Sequence, residues 1–129
     1  MNIIVLAPKM ISIGYSQALI TQMNIYKYIS FTDALLSSDK LRCFYTTSYG
    51  MELMLKLYNQ NQTEFNMHID ELYLSLKSGM PRREAFGKYI NRLEAFGCIK
   101  KTTHRQKKSM KTIVLNKNII TELNEIFER

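Results

Sequence analysis

The sequence predicts a mainly helical α+β fold with one small β-hairpin. Three observations lead there. Apolar residues recur at helical spacing through most of the chain. Two short β-capable runs, residues 98–103 and 113–115, flank a polar, basic connection. The length of 129 residues, with 46% hydrophobic and 22% charged, suits one folded core rather than two domains.

The elements follow in chain order. The apolar start, Met1 to Ala7, reads as a buried strand or a first helical turn. Leu19, Ile20, Met23 and Tyr26 predict a helix over 15–29, and Thr32 and Asp33 can start a second, short one through Leu36, closed by Ser37 and Ser38. Thr46, Thr47 and Ser48 offer N-cap oxygens to an apolar helix (Met51, Leu53, Met54, Leu55, Leu57, Tyr58) that ends at the polar run 59–62. Residues 65–67 read as extended. His68 stands at an N-cap position before Asp70 and Glu71, and Ile69, Leu72, Tyr73 and Leu76 share a face, with Ser78 and Gly79 as the stop. Pro81 suits the first position of the next helix, whose buried stripe is Phe86, Tyr89, Ile90, Leu93 and Phe96, and Gly97 closes it. The hairpin comes next. Asn116 or Asn118 then caps a final amphipathic helix with Ile119, Ile120, Leu123, Ile126 and Phe127 on one side.

Charge is concentrated in one place. The chain carries +7, with a pI of about 9.5. Residues 82–111 hold ten basic residues against two acids, Glu84 and Glu94, so this segment carries +8 and the remainder −1. A cationic stretch on a helix and an adjoining hairpin is the electrostatic footprint of a nucleic-acid-binding face. A duplex major groove admits one helix, and the second helix of a helix-turn-helix enters it with its N-terminal residues toward the base edges. The order helix, short strand, helix, turn, helix, basic hairpin, helix matches a winged helix-turn-helix. Arg82 and Arg83 fall in the first turn of the presumed recognition helix, over residues 81–96. Lys88, Asn91 and Arg92 follow on its outer faces. Lys101, Arg105, Lys107, Lys108 and Lys111 line the hairpin, or wing, over 100–111.

Other chemistries lack their residues. No phosphate-binding glycine loop, dinucleotide fingerprint, HExxH or paired-cysteine zinc pattern occurs, and the serines and two histidines form no triad. No enzyme activity, cofactor or metal is expected. The apolar start has no basic residue before it and is too short for a membrane span. The two cysteines, Cys43 and Cys98, are expected as reduced thiols of a cytoplasmic protein.

The run PRREAFGKYINRLEAFGCIKK resembles the recognition helix and first wing strand of winged-helix transcription regulators of the MarR type. Leu93, Glu94, Ala95, Phe96 and Gly97 match the end of that helix, IDELYLSLKSG the helix before it, and HRQKKSMKTIVL the wing. The resemblance covers about residues 46–115. It implies a sequence-specific double-stranded DNA-binding regulator acting as a homodimer, with no small-molecule effector assigned. The organisation expected is an N-terminal helical, dimerisation segment (1–45), a DNA-binding domain (46–115) and a C-terminal helix (116–129). A plasmid or phage replication or partition protein, and a winged-helix module that binds an acidic protein, are the competing readings.

Overall fold

The computed structural model describes residues 8–79, 81–103 and 111–128, with side chains from residue 16 onward. The chain divides into two compact units, one up to Ser37 and one from Ser38. Among its described residues the first contains one helix, α1 (Pro8–Ser37). The two helices expected here are continuous. No glycine or proline interrupts residues 29–34, so Thr32 and Asp33 sit inside the helix instead of capping a new one. The reading of residues 1–7 as strand or helical turn lies outside the described residues.

The second unit opens with a 3-10 helix (Asp39–Tyr45), followed by α2 (Gly50–Thr63), α3 (Ile69–Ser75), α4 (Arg83–Ala95), β1 (Ile99–Thr103), β2 (Lys111–Leu115) and α5 (Lys117–Phe127). This is the expected helical fold with an antiparallel hairpin. It starts before residue 46 and continues past 115, because the 3-10 helix and α5 pack with it. Ser38 Oγ donates to Glu122 Oε1 at 3.0 Å, and the Tyr58 ring stacks on Phe127 at 4.9 Å between centroids.

The core is apolar and drawn from every element of the unit. Leu41 and Phe44 of the 3-10 helix, Leu53, Met54 and Leu57 of α2, Leu72 of α3, Leu93 of α4, Ile99 and Ile113 of the hairpin, and Ile119 and Leu123 of α5 are all buried. Each such side chain contributes about 1.5–3 kcal/mol. The hairpin pairs Ile99 with Leu115, Lys101 with Ile113 and Thr103 with Lys111, which turns Ile99, Ile113 and Leu115 inward.

Helix ends depart from expectation for local reasons. The N-cap of α2 is Tyr49 without a side-chain bond, and the Thr46 hydroxyl is directed to the Cys43 carbonyl at 3.4 Å. The same helix runs on to Thr63, whose hydroxyl donates to the Asn59 carbonyl at 3.0 Å, and Gln60 is buried. His68 does cap α3, accepting from Glu71 N at 3.3 Å. That helix ends at Ser75 rather than at Ser78 and Gly79, because Leu76 turns extended while its N–H still bonds Tyr73 O. Pro81 lies outside α4, with its carbonyl accepting the Tyr73 hydroxyl at 2.6 Å, and Arg82 is the N-cap. Phe96 is 72% exposed, not part of the buried stripe. It is the C-cap, and Gly97, at φ 76°, carries the chain off the helix there.

The two cysteines are joined, contrary to the expectation of reduced thiols: the fold brings the 3-10 helix to the α4–β1 junction and forms a Cys43–Cys98 disulfide across 55 residues.

One glycine governs how α4 is seated. A Cβ on Gly50 would lie 1.6 Å from the Phe44 carbonyl oxygen and 2.5 Å from the Tyr89 hydroxyl. Tyr89 from α4 thus fits against bare backbone, with its ring edge-on to Tyr49 at 5.3 Å. A Gly50→Ala substitution should destabilise the protein by about 3 kcal/mol, the upper end for overpacking, because the clash is with main chain. Urea unfolding measures this, and a loss under about 1 kcal/mol would show that the contact can relax.

Candidate nucleic-acid interface

Helix α4 is amphipathic in the literal sense. Phe86, Tyr89, Ile90 and Leu93 are buried, while Arg82, Arg83, Lys88, Asn91 and Arg92 are exposed. The buried side is held by an aromatic cluster: Phe86 lies 5.1 Å from the Tyr73 ring of α3 and 6.0 Å from Tyr49. Burial pushes the Tyr89 phenol up to about 12, so it stays a neutral donor, here to the Cys43 carbonyl at 3.3 Å.

The predicted contact residues differ in how they are held. Arg82, at the N-cap, has no ion pair among the described residues. The Arg83 guanidinium meets Asp70 Oδ1 at 2.7 Å and lies 5.0 Å over the Tyr73 ring. Lys88 pairs with Glu84 one turn earlier at 3.5 Å. Arg92 lies over the Tyr89 ring at 5.7 Å. Lys111 is exposed at the wing side of β2. Arg105, Lys107 and Lys108, the expected wing-tip cations, lie outside the described residues.

Lys101 is engaged within the protein. Its Nζ donates to Asn91 Oδ1 at 2.5 Å and lies 3.7 Å from Glu94 Oε1, while its backbone N–H reaches Glu94 Oε2 at 3.4 Å. These contacts lash β1 to the outer flank of α4. The sequence places Asp70 in a first helical turn and Glu94 at the end of α4 but does not show their pairing with Arg83 and Lys101, because those partners lie on other elements.

Glu52 was also missed. From the first turn of α2 it accepts from Lys77 N at 2.8 and 2.9 Å, from Ser78 N at 2.7 Å and from the Ser78 hydroxyl, and it pairs with Lys56 at 2.9 Å. It therefore clamps the turn between α3 and α4. Burial alone raises the carboxyl, but the bonds from Ser78, Lys56 and Lys77 outweigh it and bring the value down to about 2, from 4.5. A folded value below the unfolded one stabilises the fold above pH 4.5, and that contribution is lost as pH falls from there toward 2. Glu52→Gln should remove this part of the acid sensitivity. Urea unfolding at stepped pH checks it; identical wild-type and variant profiles below pH 4.5 would rule the clamp out.

No family model and no curated protein matches the sequence. Solved structures do match its fold. A transcriptional regulator of Thermotoga maritima, Tm0710, aligns with a TM-score of 0.54 and 14% identity over 90% of this chain and 72% of its own. RV1404 of Mycobacterium tuberculosis aligns at 0.52 and 16%, over 88% and 69%. A MepR variant of S. aureus, solved bound to an oligodeoxyribonucleotide, aligns at 0.50 and 15%, over 85% and 76%. The chain shares the winged-helix fold of these proteins. Among the described residues no helix is long and apolar enough to cross a membrane.

Proposed function

We infer that this chain is a double-stranded DNA-binding transcription regulator that works as a homodimer. The observation that carries the reading is the exposed N-terminal half of α4, headed by Arg82 and Arg83, with β1 lashed alongside it by Lys101. A helix presented this way enters the major groove, its first turn toward base edges, while the wing cations Arg105, Lys107, Lys108 and Lys111 follow the phosphate backbone. The Arg83–Asp70 pair is exposed on both sides and therefore weak, so a guanine or a phosphate can replace Asp70 as the partner. The fold shared with a regulator solved on an oligodeoxyribonucleotide supports the same partner.

Selection of duplexes from a random pool should recover an inverted repeat, and affinity should fall steeply with salt as phosphate contacts release counterions. Arg82→Ala with Arg83→Ala should cost about 1–3 kcal/mol for the selected site and little for random duplex. Lys107→Ala with Lys108→Ala should weaken both alike. Equal losses in the two double variants, measured by fluorescence anisotropy, would abolish this division of roles.

The dimer is drawn from α1. It runs about 45 Å and exposes Leu19, Met23 and Tyr26 on one face and Ile25 and Ile29 on another. A helix apolar round its circumference needs cover on more than one side, and a second copy of the same helix supplies it. The separate compact unit formed by residues up to Ser37 fits such a role. Met23→Lys with Tyr26→Lys should yield a monomer by light scattering, with affinity for the inverted repeat falling toward that for a half-site. An intact dimer would place the contact elsewhere.

A further inference from the structure

Three glycines of the Ser38–Arg129 unit are demanded by the fold: Gly50 by a close approach, and Gly79 and Gly97 by their positive φ. Gly87 is demanded by neither. It sits inside α4, its φ is not positive, it is exposed, and a Cβ built on it meets nothing within 4 Å among the described residues. Glycine in a helix interior weakens the helix relative to alanine. The residue therefore loosens the very element that must be held in shape, with no packing or conformational return among the described residues.

What glycine offers here is room outside the molecule. Lys88 is its neighbour and Asn91 lies one turn on; both are exposed on the face turned away from the buried stripe, and Asn91, whose Oδ1 accepts from Lys101 Nζ at 2.5 Å, keeps its amide N–H donors for a base. Asparagine is short, so its contact with a base edge requires the helix backbone deep in the groove. A side chain beside such a contact holds the helix off, whereas its absence lets main chain and base edge meet.

We propose that Gly87 is the point where α4 comes closest to the duplex, its bare backbone seated against a base edge so that Lys88 and Asn91 reach the bases beside it. The proposal rests on the DNA reading above and names the residue that sets the depth of docking. Phosphate contacts do not need this approach, because long cations make them from a distance. Gly87 thus acts on sequence discrimination and not on general affinity.

The test sets Gly87→Ala and Gly87→Leu against the wild-type chain, on duplexes the wild type selects from a random pool and on random duplex of the same length. Alanine should raise the melting temperature by about 3 °C, because it removes the helix penalty. It should also weaken the selected duplex by about tenfold or more and leave random duplex unchanged, with leucine losing further. A stabilised alanine variant that binds the selected duplex as well as wild type overturns the proposal. Equal weakening on selected and random duplex overturns it too, since the residue would then act on general affinity. Failure of the DNA reading is distinguishable: the wild type itself would enrich no duplex, and both claims would fall before any variant is compared.

Discussion

The presentation of α4 depends on the seat of Tyr89 over Gly50. A helix that offers one face to a partner must be gripped by the other, and α4 is gripped chiefly by aromatic rings: Phe86 and Tyr89 lodge among Tyr49 and Tyr73. Rings bury much area with few torsions to freeze, so they hold orientation well. The Gly50 backbone lets the largest of these contacts close fully, and the Tyr89 hydroxyl then finds the Cys43 carbonyl. The Cys43–Cys98 bond reinforces the same grip covalently, since it ties the 3-10 helix to the chain as it leaves α4. The cationic face of α4 is thereby a consequence of what lies beneath it.

Among the described cations of the +8 segment, two groups stand apart. Lys101, held by Asn91 and Glu94, builds the geometry between helix and hairpin. Arg82 and Lys111 face outward, and Arg83 and Lys88 have exposed acidic partners that a polyanion can displace. Exposed pairs of this kind add little stability and are screened by salt. They keep long side chains extended along the surface until a stronger anion arrives. Net charge alone counts both groups equally, whereas only the second is free to serve binding.

Much of the fold was legible because the signals are local. The period of Phe86, Tyr89, Ile90 and Leu93 marks the buried side of α4, His68 before two acids marks a cap, and the β-capable runs mark the hairpin. Helix ends were less legible. Phe96 continues the apolar period yet is exposed, since Gly97 turns the chain just after it. The continuity of α1 was hidden by capping-type residues that never cap. What the sequence could not show is pairing at a distance: Asp70 with Arg83, Glu52 with Ser78, Cys43 with Cys98. Such partners become neighbours only after the core has formed. Exposed Gly87 was equally silent, because a glycine is informative only once its surroundings are known to be empty.

The two roots of the hairpin are clipped to each other. Asn116 donates through its side chain to the Gly97 carbonyl and through its backbone N–H to the Cys98 carbonyl at 3.0 Å. The chain therefore leaves and rejoins the core at one fixed gate. Whatever joins β1 to β2 has its ends already brought together, so adding residues there costs only the slow logarithm of loop length. The hairpin can grow, shrink or exchange its outermost residues without disturbing α4 or α5. In lineages that share this architecture, the length and charge of the hairpin can evolve independently of the helix beside it.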